Sequence, residues 1–207
     1  METLALIGTV TLIHLLAVIS PGPDFILCAR NSLTYSRKIG VWTAVGFGLG
    51  ICVHIFYSLA GLALVISQSI LLFNAIKLLG AGYLIYIGIK SLFSKSASIE
   101  IEKGEKGKLS TLSAIKMGFL TNVLNPKATL LFLSLFTMVI SPDTPKLVLG
   151  AISAIMITNT VLWFSFVSVL LTQKKVRTVF ERFQNIFNKA FGGLLIALGL
   201  KVALMDK

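Results

Sequence analysis

The sequence predicts an all-α, polytopic membrane bundle of six transmembrane helices, arranged as two inverted three-helix repeats with Pro-broken first helices. Hydrophobic residues make up 56% of the 207 residues and charged residues only 13%, whereas a soluble domain carries about 25% charged residues. Apolar runs recur at bilayer-crossing lengths, and basic residues gather between alternate runs. Spanning segments must be helical, because a lipid-exposed strand edge leaves backbone groups unpaired. The chain, residues 1–207, is therefore predicted to form a single integral membrane domain.

Six apolar segments can be delimited to within a few residues, and each is near or above the ~20 residues that cross the hydrocarbon core. They cover residues 4–19 with a continuation at 25–29, then 41–66, 70–89, 112–140, 147–171 and 186–205. The first is interrupted at Pro21-Gly22-Pro23 and the fourth at Asn125-Pro126. Only residues 67–69 separate the second segment from the third, as a tight hairpin or one long bent element. Five spans therefore stay open beside the favoured six.

The lysines and arginines predict the orientation of the spans. Three loops on one side hold 14 basic residues, namely Arg30, Arg37 and Lys38, then Lys90, Lys95, Lys103, Lys106, Lys108 and Lys116, then Lys174, Lys175, Arg177, Arg182 and Lys189. The opposite side holds Lys77, Lys146, Lys201 and Lys207. The excess places the three basic loops in the cytoplasm and both termini outside. A net charge of +11 also suits nucleic acid, but charges confined to short loops between apolar runs argue against that partner.

A polar, mixed-charge segment at about residues 94–111 is predicted to be a flexible cytoplasmic linker. It joins repeat one, about residues 1–93, to repeat two, about residues 112–207. Three spans per repeat force the repeats into opposite orientations, and a shift of 103 positions superposes Pro23 on Pro126. Proline removes a helix donor and clashes with the preceding turn, so each helix should kink or unwind there. Such kinks can serve packing alone, but two matching interruptions favour the binding site of a transporter.

An ionisable residue follows each break directly, Asp24 in the first half and Lys127 in the second. A charge at membrane depth costs roughly 2.5–3.5 kcal/mol on insertion scales, so it usually faces a partner or a wet cavity. One hypothesis is an ion pair that holds the halves together. The other is a binding site for a zwitterion, with Asp24 facing the ammonium and Lys127 facing the carboxylate. The two hypotheses are compatible if the substrate competes with the ion pair. The predicted substrate-binding set also includes Pro21, Gly22, Pro23, Asn122, Asn125 and Pro126.

Two histidines within the apolar segments are candidates for proton coupling, in addition to Asp24. His14 lies about two turns before the first break, and His54 lies midway along the second segment. Histidine can relay protons near neutral pH, although a hydrogen bond to a neighbouring group is the plainer interpretation for each.

Glycines at positions 46, 48, 50, 80 and 82 predict close helix packing, because small residues let helices approach. No cofactor or metal site is predicted. The sequence shows no phosphate loop, no His/Cys metal spacing and no Gly-x-Ser-x-Gly elbow, so the chain is predicted not to be an enzyme.

Two motifs resemble those of the LysE/RhtB superfamily of amino-acid exporters. They are SPGPDF at residues 20–25, followed by RNS at 30–32, and GFLTNVLNPKA at 118–128. The stretch at residues 46–54 is similar to that family's second span, although Ile51 and Cys52 stand where members often carry an acidic residue. This departure puts an acidic proton carrier on the second span in doubt. The similarity covers nearly the whole chain, and the RhtB-like branch of homoserine- and threonine-type efflux proteins fits better than the lysine-exporter branch.

The resemblance implies a multi-pass protein of the bacterial cytoplasmic (inner) membrane that exports amino acids or small derivatives. It implies proton antiport with alternating access, and it carries the functional site over to Pro21, Gly22, Pro23, Asp24, Asn125, Pro126 and Lys127. The implied partners are an amino-acid substrate, protons and the lipid bilayer. Exposed small-residue faces are also compatible with a homodimer. Which amino acid is moved does not follow from the sequence.

Two other functions stay open. One is the export of another solute, such as a metal cation. Asp24 is the single carboxylate within a predicted span, and one carboxylate is too few ligands for a hard cation. A membrane thiol-redox carrier would need Cys28 and Cys52 to meet, although neither adjoins a proline and the second half contains no cysteine.

Overall fold

The computed structural model describes residues 2–94, 108–139 and 144–204. Within these residues the chain forms eight helices and no strand, which confirms the predicted all-α class. The helices are α1 Glu2–Ile19, α2 Pro23–Thr34, α3 Arg37–Gln68, α4 Ile70–Leu92, α5 Thr111–Val123, α6 Pro126–Val139, α7 Lys146–Leu170 and α8 Lys174–Leu204.

Both predicted proline breaks are present as sharp bends. The axes of α1 and α2 differ by 55°, and those of α5 and α6 by 59°. The second helix of each pair begins at a proline, Pro23 in α2 and Pro126 in α6. Proline suits a first helical position because its fixed φ is already helical and its missing N–H would have no partner there. The two breaks are therefore alike in angle as well as in sequence position.

The helix after the first break is longer than the predicted 25–29. It begins at the proline and continues through a polar stretch to its end at Thr34. Two polar side chains in that stretch are buried and bonded: Asn31 Nδ2 donates to Thr43 Oγ1 at 2.9 Å, and Ser32 Oγ donates to the Cys28 carbonyl at 2.7 Å. These hydrogen bonds allow polar residues that end the apolar run to remain inside the packed helix.

Three helices are individually long and apolar enough to cross a membrane, over Arg37–Gly61 of α3, Asn74–Leu92 of α4 and Lys146–Leu170 of α7. Counting each bent pair as one span gives up to five among the described residues. The sixth predicted segment, residues 186–205, falls on the end of α8, which is not among these spans, and residue 205 lies outside the described residues. The six-span count therefore stays a prediction.

The second and third predicted segments are separate helices. Only Ser69 lies between α3 and α4, and its hydroxyl caps α4 by accepting from the Leu72 N–H at 3.2 Å. A side-chain cap of this kind marks a true helix start. This junction therefore begins a new helix.

The basic segment before the sixth predicted span is helical, although the sequence predicts a loop there. α8 begins at Lys174 and continues without interruption to Leu204. Lysine and arginine are good helix formers, and apolar residues recur at three- and four-residue spacing at positions 176, 179, 180 and 183. This amphipathic pattern is typical of a surface helix. The predicted central linker lies mostly at residues 95–107, outside the described residues.

Helix contacts between the halves follow a paired pattern. α3 packs on α5 and α6, while α7 packs on α1 and α2. If α1 to α4 correspond in order to α5 to α8, an exchange of the halves converts the first set of contacts into the second. The long helix after each break thus packs against the bent pair of the other half, and this places the two breaks together near the centre.

Glycines bring several of these helices into backbone contact. A Cβ added at Gly118 of α5 would lie 3.2 Å from Gly46 Cα of α3, and one at Gly192 of α8 would lie 2.6 Å from the Gly88 carbonyl of α4. Close packing is confirmed in the same way for Gly48, Gly50 and Gly80. The packing prediction is wrong for Gly82, which is exposed and has no atom within 4 Å of an added Cβ.

Candidate functional site

The carboxylate of the first break is bound by amides of the second. Asp24 lies in the first turn of α2 and is 9% exposed. Its Oδ2 accepts from Asn122 Nδ2 at 2.7 Å, and its Oδ1 accepts from Asn125 Nδ2 at 3.3 Å. Its place at a helix N-terminus is also favourable for a negative charge. Both carboxylate oxygens therefore have partners although the group is buried.

The ammonium of the second break is bound by carbonyls of the first. Lys127 Nζ donates to the Ala17 carbonyl at 3.4 Å and to the Ser20 carbonyl at 3.3 Å. It also lies 4.8 Å from the centroid of the Phe191 ring, within cation–π range. The Ala17 carbonyl would normally accept from the N–H four residues on, but that residue is Pro21, which has none. Lys127 takes the place of the missing donor, at a helix C-terminus that favours a positive charge.

The charged side chain of each break is thus bound by groups of the other break, and these groups are neutral. Asp24 bonds to side-chain amides and Lys127 to backbone carbonyls. The structure brings both residues to one site, as the sequence predicts, but within the described residues no hydrogen bond joins them to each other.

Asn125 has two hydrogen bonds that fix how its amide points. Its Oδ1 accepts from the Lys127 backbone N–H at 3.0 Å, as a cap of α6, and its Nδ2 donates to Asp24. A cap needs an acceptor and a carboxylate needs a donor, and the two ends of this amide provide one each. The donor aimed at Asp24 is consequently held in place by the start of α6.

His54 connects α3 to the second break. Its Nε2 lies 2.9 Å from the Asn122 carbonyl, and its Nδ1 lies 2.6 Å from the Tyr57 hydroxyl. The hydroxyl in turn lies 3.4 Å from the Thr129 carbonyl. A carbonyl only accepts, so Nε2 carries a hydrogen and Nδ1 faces the hydroxyl. This imidazole is bonded at both nitrogens.

His14 is placed differently. Its side chain in α1 is fully buried, and neither ring nitrogen has a hydrogen-bond partner among the described residues. Its ring stands edge-on to Phe132 at 5.6 Å, while His54 stacks on the same ring at 5.4 Å. The two histidines therefore flank one phenylalanine, but in the described residues only His54 has hydrogen-bond partners.

Two cavities meet at the breaks. A central cavity of about 40 Å³ is lined by residues that include His14, Ala17, Asp24, Asn122 and Phe132. A larger one of about 420 Å³ is lined by residues that include Pro21, Pro23, Tyr83, Lys90, Pro126 and Asn188. Ser20, Gly22, Asn125 and Lys127 line both cavities. The predicted break residues therefore border both cavities, and Lys127 is one of the four residues that the two cavities share.

Some residues of this site were not predicted from the sequence. Tyr57 and Phe132 contact the histidines, and Phe191 contacts Lys127. Aromatic residues are common in apolar segments, so nothing local distinguishes these three. Of the residues that were not predicted, Ser20 had the clearest signal in the sequence, because it adjoins Pro21 and its carbonyl lies at the end of a broken helix.

The structure offers little support for the two other functions. Cys28 and Cys52 are both free, and Cys28 is buried with its thiol 3.1 Å from Ser168 Oγ, while Cys52 is exposed. In the part of the chain that the structure describes, no group of three or more His, Cys, Asp or Glu side chains is placed to hold a metal ion.

Comparison with known proteins finds similarity along nearly the whole chain. Residues 15–206 match the sequence model of the family described as LysE type translocator. A Bacillus subtilis (strain 168) protein, Uncharacterized membrane protein YrhP, is 32% identical over 197 residues, which is 90% of this chain and 93% of the relative. Threonine efflux proteins of Escherichia coli (strain K12) and Salmonella typhi are each 29% identical over 204 residues, covering 95% of this chain and 97% of the relative. No solved structure matches the chain.

Proposed function

The chain belongs to the LysE type translocator family, and from this premise we propose that it exports small zwitterionic amino acids, or small derivatives of them, from the cytoplasm. The observation that carries the proposal is that the charged side chain of each break is held by groups of the other break. An acid and a base from opposite halves line one central cavity, and each is held by neutral groups that a ligand can replace. The threonine efflux proteins among its relatives agree with this substrate class.

The site offers one complementary group to each end of a zwitterion. The substrate ammonium bonds Asp24, and the substrate carboxylate takes Lys127 from the Ala17 and Ser20 carbonyls. The bonds of the empty site already include one charged partner each. The bonds to substrate join opposite charges, and their Coulomb attraction in a buried site favours the bound substrate. Removing substrate returns both side chains to the partners seen in the structure, and these keep the empty site stable.

The cavities suggest the route. The larger cavity falls within the range of roughly 300–1,000 Å³ that is usual for small-ligand sites. Lys90 borders it near the predicted cytoplasmic linker, so substrate enters there. The central cavity is far smaller, and a whole amino acid enters it only after the helices around it move apart. Rocking of one half against the other, with the site near the middle, is alternating access.

Proton coupling is assigned to Asp24 and His54. A neutral His54 accepts the Tyr57 hydroxyl hydrogen at Nδ1, whereas a protonated His54 donates to Tyr57, whose hydrogen then turns to the Thr129 carbonyl. Both protonation states are therefore satisfied without moving a helix. Because His54 Nε2 also bonds the Asn122 backbone, its charge acts on the residue that donates to Asp24.

The matching bends and the paired contacts between halves support two inverted repeats. The bacterial relatives support a location in a bacterial inner membrane. The distribution of basic residues supports basic loops in the cytoplasm and both termini outside. The two halves would then present the breaks to opposite sides in turn.

Export from cells fed threonine-containing dipeptides tests the proposal. We expect Asp24→Asn and Lys127→Met to lower threonine export at least about tenfold, since each removes a charged contact worth roughly 1.5–3 kcal/mol. Lys201→Met is the matched control, because it also removes a lysine charge from a membrane helix but at an exposed position outside both cavities. Normal export by both site variants at normal membrane abundance contradicts the assignment of these residues, and no amino-acid export by the wild type contradicts the function.

A further inference from the structure

We propose that His14 is the residue that bonds a hydroxyl group on the side chain of the substrate. The inference rests on the proposed function and adds to it a subsite for that side chain. It makes His14 a specificity-determining residue, separate from the acid and base that bind the zwitterion.

His14 has unused hydrogen-bonding capacity inside a cavity wall. It is fully buried, lines the central cavity, and has no hydrogen-bond partner for either ring nitrogen in the described residues. A neutral imidazole carries one donor and one acceptor. Burying such a group without partners opposes folding, and a leucine or phenylalanine would fill the same space at no such cost. The arrangement is accounted for if a ligand supplies the missing partner.

Asn122 and Thr160 are neighbouring polar side chains on this cavity. Asn122 Oδ1 is buried without a hydrogen-bond partner, but it faces α3, where a Cβ added at Gly50 would lie 2.5 Å from it. A neutral His14 by itself offers one acceptor and one donor, and a hydroxyl group needs one acceptor and supplies one. Thr160 also lines the cavity, but its hydroxyl is already bonded to the Met156 carbonyl at 3.0 Å.

The rest of the cavity wall suits a short aliphatic chain. Ala17, Ile51, Leu131 and Phe132 contribute apolar surface. The volume of about 40 Å³ is too small for a whole amino acid but admits a few non-hydrogen atoms. Asp24 and Lys127 border the same cavity. A substrate whose ammonium and carboxylate bind those two residues would thus place its side chain toward His14.

The competing role for His14 is proton transfer, and the two roles predict different results. A proton carrier serves every substrate, so its loss lowers all transport in parallel. A residue that bonds a substrate hydroxyl changes only the ratio between substrates with and without that group. Threonine and valine are the appropriate pair, because they differ by a hydroxyl in place of a methyl at nearly the same volume.

Purified protein in proteoliposomes, loaded with labelled threonine or valine, provides the measurement. We expect the wild type to transport threonine at least about tenfold more efficiently than valine, because a site built to bond a hydroxyl rejects the analogue that lacks it. His14→Phe should bring the ratio near one while valine transport persists, which also shows that the variant is folded. His14→Gln, which keeps a donor and an acceptor, should retain much of the preference.

Three results would overturn the inference while leaving the proposed function intact. They are equal transport of threonine and valine by the wild type, an unchanged ratio in His14→Phe, or a parallel loss of both substrates in His14→Phe and His14→Leu at normal abundance. Wild-type protein that transports neither threonine, valine nor any other amino acid refutes the proposed function itself.

Discussion

At the residue scale, the site depends on side chains that bond across the two breaks. Pro21 removes a backbone donor, and Lys127 of the other half supplies a substitute at the Ala17 carbonyl. The corresponding position in the second half is Leu124, which keeps its N–H and donates to the Leu120 carbonyl at 3.0 Å. The two breaks are therefore alike in shape but unlike in chemistry. That asymmetry produces a site with one acidic and one basic end, which a symmetric pair could not.

Asn125 gives a sharp test at this scale. Asn125→Asp keeps the cap on α6 but replaces the donor to Asp24 by a second carboxylate about 3.3 Å away. Two carboxylates at that distance repel, and a hydrogen bond to a charged group worth roughly 1.5–3 kcal/mol is lost. We expect threonine export to fall by at least about tenfold, measured in dipeptide-fed cells at equal membrane abundance.

Asn125→Ser is the matched control, because serine also caps a helix but adds no charge. It should reduce export less than the aspartate variant does. Equal export by wild type and Asn125→Asp would mean that the Asn125 amide does not support the Asp24 carboxylate.

At the element scale, backbone contacts at glycine set how closely the helices approach. A Cβ added at Gly46 of α3 would lie 2.8 Å from the Phe119 N of α5, so any side chain there pushes the helices apart. A similar contact joins α4 to α8 at Gly88 and Gly192. Since α5 carries Asn122 and α8 carries Phe191, both crossings position side chains of the site.

Alanine at Gly46 should therefore destabilise the bundle. Overpacking costs typically 1–3 kcal/mol, which corresponds to roughly 2–12 °C in the Tm of a chain of this size. Gly82→Ala is the matched control, because an added Cβ there meets no atom within 4 Å. Thermal unfolding in detergent measures both, and equal Tm values for the two variants would show that the α3–α5 crossing tolerates separation.

At the scale of the whole molecule, the bent pair of each half packs against the long helix of the other. This arrangement puts both breaks between the halves. In the alternating access that we propose, a relative movement of the halves changes access to the breaks. The proposed direction of transport then depends on how the basic loops orient the bundle in the membrane.

Reporter fusions after Ser36, at Lys108 and at Lys207 test this topology. With six spans and basic loops inside, we expect green fluorescent protein to fluoresce at the first two positions, and alkaline phosphatase to be active only at Lys207. If α8 does not cross the membrane, Lys108 and Lys207 report the same side. If α3 and α4 together make one span, Ser36 and Lys108 report opposite sides.

The sequence by itself determined the class of the fold and the position of both breaks. Long apolar runs admit only helices in lipid, and proline acts on its own helix whatever surrounds it. Both are local or solvent effects, so they can be predicted without knowing which helices touch. The same logic failed at α8, where basic residues suggested a loop although their spacing with apolar residues suits an amphipathic helix.

Only the tertiary structure decided which groups meet. Asp24 and Lys127 are predicted as a pair, yet each bonds to neutral groups of the opposite break. Likewise, His14 and His54 are equivalent candidates in the sequence, but one lies unpartnered on a cavity and the other is bonded at both nitrogens. Hydrogen bonds form over about 3 Å, so they depend on the exact positions of the helices. Those positions are set by contacts between residues about a hundred places apart in the chain. Local sequence therefore predicts the candidate site, while helix packing gives each residue its partner.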